Sequence, residues 1–518
     1  MGEGEVSANT KTLAVFLGCL SIFSMCGVVF GMPALYPSLY YRGFWANLCL
    51  STEEQCLTAE REGKCCEAQM VRIGLTSSTT FFMADAAAGL WGEYVDRAGA
   101  YKCFSLASLG VIGGFVMLAL SLWPSPVFSI SRDLLSTISF TILGVAGPGV
   151  FNGAYVGCVA IVGSSSSHVS AFTAFSAACF DGSALVFALL RLFGVNFGLG
   201  LVTSTLIWSV AIFALRFIFL GLLSSSPGGG GGVELPGGAA QKASNGADAP
   251  LPRASEASGL LSSSGPPPAL PMPPDPGDEA SAKAPLAPSS SSTSSGGGSG
   301  FGLPTGLGGV CTARLRSTLL DRVNLAVIAL MVSLNLVAAF YLQTQGEQMS
   351  LLFAPGEAAS LSRFLEFGFP IVGFVASIAA AKLVFEPNHS RELLCWVWPA
   401  GLGAAFCLVQ SIPLLATQYL AALIFGPMRT MQWACYFHAL AVAPRYPQAV
   451  AGRVLGYNNV VIALLSDTLP YFLTALTAGD ETTTQSEEAW RYAFVRICLL
   501  LPVLGSSALL GFELRRAT

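Results

Sequence analysis

The chain of 518 residues is 53% hydrophobic and 11% charged, with a mean hydropathy of +0.63 and a formal net charge of −4, whereas an average soluble protein has roughly 25% charged residues. This composition excludes a water-soluble globule and describes a polytopic membrane protein. It also leaves no basic surface on which nucleic acid could be held, and the charge total itself does not orient the chain, because the placement of Lys and Arg does that.

Apolar stretches of about 20 residues, each enough to cross a hydrocarbon core about 30 Å thick, recur along the sequence. They centre near Gly27, Met83, Val111, Leu143, Phe180, Ile207, Ala329, Phe374, Gly403, Phe425, Ala463 and Leu501. Runs such as Val111 to Leu122 lack the alternation of a barrel strand, so the spans are predicted to be helices. Arg97, Lys102, Arg314, Arg316, Arg322, Lys382, Arg391, Arg445, Arg453, Arg515 and Arg516 fall on one side of the membrane if the N-terminus is cytoplasmic. The acidic residues Glu53, Glu54, Asp480, Glu481, Glu487 and Glu488 fall on the other. Both termini are therefore expected in the cytoplasm.

The polar lead, residues 1–11, is too short for a signal peptide and shows no cleavage site, so the first span is expected to act as an uncleaved anchor. Gly27, Gly31 and Pro33 interrupt that span. The loop of residues 40–69 follows, with Cys49, Cys56, Cys65 and Cys66. In an oxidising compartment these four read as one or two disulfides, with three possible connectivities, or as unpaired loop thiols; the adjacent Cys65 and Cys66 are not expected to bridge each other. Most of the 14 cysteines lie inside predicted spans, as small apolar fillers.

Asp85 lies in the second span, either for substrate or proton handling or as a buried structural acid. A charged turn follows, Gly92, Glu93, Tyr94, Val95, Asp96, Arg97, Ala98 and Gly99. Gly147, Pro148 and Gly149 weaken the fourth span as the first is weakened; such breaks either expose backbone to a substrate or simply kink the helix. Asp181 lies in the fifth span among small residues that admit a neighbouring helix or a ligand. It can bind an ammonium group, relay a proton, or pair with a buried cation.

From residue 224 to 309 Gly, Ser, Pro and Ala replace the apolar pattern. That composition cannot offset its ordering entropy, so a disordered cytoplasmic linker is expected, most simply a tether. It divides the spans into an N-terminal bundle of six, residues 12–223, and a C-terminal bundle of six, residues 310–514, with 515–518 as a cytoplasmic tail. Two such pseudo-symmetric bundles imply a substrate path between them.

In the seventh span Asn324 and Asn335 are eleven positions apart, about three helical turns, and share a face. Interhelical hydrogen bonding accounts for both, and Asn335 is also a candidate substrate ligand. The glycosylation pattern Asn388, His389, Ser390 falls on the cytoplasmic side and is expected to be unmodified. In the tenth span Arg429, Gln432, Trp433 and Tyr436 occupy i, i+3, i+4 and i+7 on one helix face. Ionisable groups in a bilayer are costly and mark function by default. Arg429 either holds a substrate carboxylate bidentately, with Trp433 or Tyr436 stacking on an apolar or planar group, or pairs with an acid to join two helices. The eleventh span carries Asn458, Asn459 and Asp467, the last for substrate or proton handling or as a structural acid.

His168, His389 and His438 are the only histidines. Without HExxH, paired CxxC or P-loop patterns, the ligands for zinc or nucleotide hydrolysis are missing; no enzyme activity, cofactor or metal is expected.

The turn Gly92, Asp96, Arg97, Gly99 resembles the GxxxDRxG loop between the second and third helices of major facilitator superfamily transporters. Phe180 to Phe187 resembles the fifth-helix FDSSA-like segment of solute carrier family 43, the L-type large-neutral-amino-acid facilitators and an equilibrative nucleobase transporter. Arg429 to Phe437 is similar to that family's tenth-helix pattern. Tyr446, Pro447, Gly452, Arg453, Leu455 and Gly456 resemble its loop into the eleventh helix, and related amino-acid carriers of parasitic protists share the layout. Ala100 departs from the basic residue common after Gly99, and Gly182 replaces a family Ser.

The resemblance implies an all-α major facilitator fold of twelve transmembrane helices, in which Asp96 and Arg97 hold the inner side closed in the outward-open state. It also implies facilitative uniport of amino acids, large neutral or cationic; a zwitterion needs an anion and a cation as partners in a desolvated cavity, and Arg429 with Asp181 are expected to supply both. A carrier of nucleobases or other small organic solutes, read by Gln432, Trp433 and Tyr436, is the alternative, as is a transceptor that does not transport. Asp85, Asp181, Asp467 and Glu366 supply carboxylates for proton symport, which uniport does not need. The expected partners are a small-molecule substrate and the lipid bilayer, with the chain monomeric in the plasma membrane or an endomembrane.

Overall fold

The computed structural model describes residues 7–49, 67–123, 129–162, 167–225, 313–383, 390–442, 446, 451–477 and 484–517. Most of the expected linker, the sequon residues Asn388 and His389, and Cys56, Cys65 and Cys66 lie outside the described residues. Helices are the answer to a solvent without hydrogen-bond partners, because each satisfies its own backbone. Twelve spans are described: α1 (Ala8–Met25), α2 (Glu67–Ala98), α3 (Ala100–Ser121), α4 (Ser129–Val162), α5 (Ser167–Gly182), α6 (Leu201–Ser224), α7 (Arg322–Leu352), α8 (Pro355–Leu383), α9 (Ser390–Gln410), α10 (Leu415–Val442), α11 (Ala451–Ile462) and α12 (Gln485–Ala517). Three continue past a break: α1 through a 3₁₀ stretch Val28–Leu35 into Tyr36–Tyr41, α5 into Leu185–Arg191, and α11 through a π turn Ala463–Asp467 into Leu469–Thr477.

Local chemistry sets the ends. The Ser7 hydroxyl accepts from the Thr10 amide at 3.2 Å and opens α1, and the Asp321 carboxylate accepts from the Asn324 amide at 3.3 Å and opens α7; both satisfy donors a helix start leaves free. Between α2 and α3 the chain reverses at Gly99 with φ of 85°, a conformation that favours glycine.

Seven of the described helices are long and apolar enough to cross a membrane by themselves, and the bent pair around Gly182 makes an eighth. Among those that fall short are α2, α10 and α11, the spans that carry Asp85, Arg429 and Asp467. Polarity has been placed where it is sheltered: 83% of the apolar window of α7 is buried, against 33% for α12. Thus α7 runs through the interior, while α6 and α12 turn Phe217, Ile218, Leu501 and Phe512 outward as lipid-facing surface.

Helices α1–α6 and α7–α12 form two bundles that meet by crossed pairs. The second helix of the first bundle packs on the fifth of the second, α2 on α11, and the fifth of the first packs on the second of the second, α5 on α8. The α2–α11 contact reaches the end of the molecule that bears the Gly99 turn, called here the turn end. The α5–α8 contact continues past the Gly182 bend, where Arg191 of the α5 continuation meets Glu366 at the opposite end, called here the loop end.

Candidate functional site

Each bundle breaks its fifth helix at an aspartate. In α5 the axis bends by 40° between Gly182 and Leu185, and the Ser183 hydroxyl donates back to the Phe180 carbonyl. In α11 the π turn ends on Asp467. Such local departures from α geometry are common at functional sites. Gly27 and Gly31, expected as kinks or as exposed backbone, lie where α1 breaks into its 3₁₀ stretch and also serve close approach: a Cβ at Gly31 would lie 1.9 Å from the Ala184 carbonyl oxygen, and one at Gly27 2.5 Å from that of Phe180. Only hydrogens at these positions let α1 reach the α5 break.

At that break the Arg429 Nε donates to Asp181 Oδ1 at 3.1 Å, with the two side chains 3% and 1% exposed. The pair joins α10 of one bundle to α5 of the other. Its guanidinium carbon also stands 4.4 Å from the centre of the Phe30 ring, a cation–π contact. The pairing is one-handed: no well-aligned hydrogen bond reaches Asp181 Oδ2 or Arg429 Nη2, although both are buried, and the Thr430 hydroxyl is a further polar neighbour of the Asp181 carboxylate. A buried ion pair repays its desolvation only when its remaining donors and acceptors are met.

Further along α10, Trp433 stacks on Phe437 with ring centres 5.7 Å apart and faces Phe180 at 6.3 Å. Phe151 of α4 meets Phe437 at 4.7 Å. Both ends of the Gln432 amide, the Trp433 Nε1 and the Tyr436 hydroxyl are buried without a hydrogen bond that meets geometric criteria, and the nearest polar neighbour of Tyr436 is Asn458. The four α10 residues named from the helical spacing are therefore all interior, at 0 to 2% exposure, and Trp433 belongs to an aromatic cluster with Phe151, Phe180 and Phe437.

The remaining predicted acids come to the same level. The helix of Asp85, α2, packs against the π turn that carries Asp467, and Asp85 has Asp467, Asn335 and Arg429 as its polar and charged neighbours. The Asn335 amide donates to Asp467 Oδ1 at 3.1 Å and to the Ser466 hydroxyl at 2.7 Å, so Asn335 positions an acid and has its donors engaged. Asn324 exchanges hydrogen bonds with Asn458 and accepts from Tyr446. The interhelical role expected of both asparagines is the one their contacts describe.

At the turn end Asp96 accepts from the Arg453 amide at 3.2 Å and lies 3.5 Å from its guanidinium. Arg97, expected to share this hold, points away and pairs with Glu93 on its own helix. The reason is register: Asp96 faces α11, and the next residue, about 100° around the helix, cannot. Gly92 lies against Gly452, where a Cβ would stand 2.2 Å from the Gly452 carbonyl oxygen. At the loop end Arg191 pairs with Glu366 at 3.3 Å and donates to the Ala34 carbonyl at 3.2 Å. Glu366, counted from sequence among the carboxylates available for protons, is thus tied to the loop-end closure.

Sequence reasoning missed Phe30, Phe151 and Phe437, since aromatic residues are common in membrane helices and carry no distinguishing local signal. It also missed Arg453 as the partner of Asp96, although its place just after Gly452 in a motif already noted was a usable hint. Among the described residues the free cysteines include Cys19, Cys26 and Cys103 but not Cys49, and no group of acidic, His or Cys residues suited to a metal ion occurs. A larger apolar cavity, about 500 Å³ between α7, α11 and α12, is lined by Leu336, Leu465, Leu473, Phe494 and Leu499 and lies apart from the charged cluster.

No protein-family model matches the chain, and no curated protein sequence is significantly similar to it. Solved structures do match. The human organic anion transporter MFSD10 (TETRAN) aligns over 98% of this chain and 99% of its own with a TM-score of 0.57 at 16% identity. A bacterial homologue of the iron transporter ferroportin in its outward-facing state aligns over 97% and 98%, with a TM-score of 0.55 at 9% identity. The major facilitator superfamily proton:xylose symporter XylE aligns over 95% of both chains, with a TM-score of 0.52 at 14% identity. At these identities the likeness is one of architecture, and it establishes that this multi-pass integral membrane protein has the major facilitator fold, twelve transmembrane helices in two six-helix bundles.

Proposed function

We propose that this protein is a carrier of amino acids that works by alternating access, its two bundles rocking about the Asp181–Arg429 level. The observation that carries this reading is the half-used ion pair. An unmet carboxylate oxygen and an unmet guanidinium nitrogen, both buried, are complementary to the ammonium and carboxylate of one zwitterion. A ligand that inserts there exchanges one buried pair for two charge-assisted contacts, each stronger than a neutral hydrogen bond. The aromatic cluster of Trp433, Phe437 and Phe151 suits a large neutral side chain.

Within this reading the turn end is the cytoplasmic side, both termini are cytoplasmic, residues 224–309 are a tether, Cys49 is bridged within the first loop, and the chain acts as a monomer in the plasma membrane. The resemblance to solute carrier family 43 supports uniport. The alternative substrate, a nucleobase, is favoured by one observation: the unmet Gln432 amide beside stacked Trp433 and Phe437 offers a planar slot with a donor and an acceptor.

The test is uptake of radiolabelled amino acids and nucleobases into liposomes containing the purified protein. Saturable amino-acid uptake is expected, and Arg429→Ala is expected to lower it at least a hundredfold, because it leaves Asp181 buried without its partner, an effect of about 3–5 kcal/mol. Unchanged affinity and rate in Arg429→Ala protein that reaches the membrane would refute the carboxylate assignment, and uptake of nucleobases alone would transfer the cluster to the alternative.

A further inference from the structure

The amino-acid reading leaves Asp85 and Asp467 without a task, yet they are the most conspicuous charge problem in the molecule. One comes from each bundle: Asp85 from α2, Asp467 from the π turn of α11, the same two helices whose glycines touch at the turn end. The two residues are 6% and 4% exposed, the helix of Asp85 packs against the π turn that ends on Asp467, and the two carboxyls act on each other electrostatically. Asn335 and Ser466 both donate to Asp467 Oδ1, at 3.1 and 3.3 Å, whereas the buried Oδ2 has no donor at all. Two buried carboxylates that face each other repel, and a proton held between them relieves that repulsion and gives the unmet oxygen a donor.

The cation that acts on Asp85 and Asp467 is Arg429, which also holds Asp181 through its Nε, so one cation serves three acids. With every group ionised the cluster would carry three negative charges against one positive, a net −2 for Asp85, Asp181, Asp467 and Arg429. Tyr436 of α10 is electrostatically coupled to Asp85. The other helices on α2 bring Cys26 of α1 and Tyr155 of α4 at mid-span, and neither is coupled to Asp85. Lys102 and Tyr101 of α3 sit at the turn end.

We propose that Asp85 and Asp467 share one proton across the interface between the bundles, and that this proton is carried with the substrate in each transport cycle. When the bundles part on one side, α2 and α11 separate, the carboxyls hydrate, and the proton exchanges with that side. When they close, the pair can come together only if a proton has been taken up, because the doubly ionised pair repels. The proton enters from water on one face and leaves to water on the other, and no other bond changes. Transport is therefore expected to fall as pH rises past the point where the pair loses its proton, a joint property of both groups. The proposal rests on the carrier reading but not on the choice of amino acids.

The experiment is a pH titration of the full-length protein in lipid by infrared difference spectroscopy, which detects the carbonyl stretch of a protonated carboxylic acid, combined with amino-acid uptake with and without an inward proton gradient. The wild type is expected to show a titrating acid band that disappears in Asp85→Asn and in Asp467→Asn and persists in Asp181→Asn. Asp85→Glu retains the acid, so it keeps the band with a displaced midpoint even if an amide at this site impairs folding. Uptake is expected to rise about tenfold with the gradient, and this stimulation is lost in the two Asn variants. A band without uptake of any amino acid upholds the shared proton and overturns the substrate assignment. Absence of the band, or its survival in both Asn variants, overturns the shared proton; a band with uptake indifferent to the gradient overturns the coupling.

Discussion

The two ends of the bundle interface carry nearly matched ion pairs on very different foundations. At the turn end Arg453 and Asp96 are 3.5 Å apart and 27% and 13% exposed; at the loop end Arg191 and Glu366 are 3.3 Å apart and 27% and 12% exposed. Behind the first pair lies backbone against backbone, Gly92 on Gly452 and Gly89 on Gly456, where a Cβ at Gly456 would stand 2.6 Å from the Gly89 Cα. Behind the second lies side-chain packing around a small cavity, about 20 Å³, lined by Phe30, Pro33, Leu365 and Phe369. Equal electrostatics on unequal packing separates two ways of holding two bundles together. The turn end is held by shape, which is all or none; the loop end leans on charge, which is graded and screened by salt.

The comparison breaks most readily at the glycines. Gly92→Val places a branched side chain where the partner backbone is within 2.2 Å, so the turn end is expected to stay parted and transport to fall by at least a hundredfold in protein that still folds. Spin-label distances across the turn end should lengthen while those across the loop end do not; unchanged distances with normal transport would show that packing does not hold this end.

A smaller effect is expected at the loop end. Glu366→Gln removes a half-buried pair worth on the order of 1 kcal/mol, about a fivefold shift toward the state open at that end, where 1.4 kcal/mol is tenfold. Raising the salt concentration should mimic it, since the Debye length contracts from about 30 Å at 0.01 M to about 3 Å at 1 M. The same salt series read across the turn end should move little; equal sensitivity of both ends would erase the distinction.

The smallest effect belongs to Arg97. Its pair with Glu93 is i,i+4 on one helix, and the arginine is 62% exposed, so Arg97→Ala is expected to change spin-label distances at neither end and to cost less than about 0.5 kcal/mol. A large loss of transport would return Arg97 to the interface and displace Arg453 as the partner of Asp96.

The position of Asp96 in a turn between spans was legible, but its partner was not. The pattern that made Arg97 its obvious companion is local, and a one-residue step on a helix turns a side chain to another face. The α10 residues were legible as a face because 3.6-residue periodicity is written in their spacing, and their burial followed from it. The aromatic cluster was not, because Phe30, Phe151 and Phe437 meet only when three helices converge. Gly27, Gly31 and Pro33 mark the break at which α1 passes into a 3₁₀ stretch, as their residue types suggested; the close approach that Gly31 also permits was not legible, because only the neighbour, here the Ala184 carbonyl, shows it.

By itself the sequence determined that this is a membrane protein of many helical spans and which few charged groups lie within them, because in a bilayer apolar runs must be helices and a charge at mid-span is costly enough to stand out. Which of those charges meet was decided by tertiary structure. Arg429 finds Asp181 across 248 positions of chain, Asp85 finds Asp467 rather than a cation, and Asp96 finds Arg453 rather than Arg97. Partner choice between bundles depends on how helices cross and how closely their backbones approach, and no local period records it.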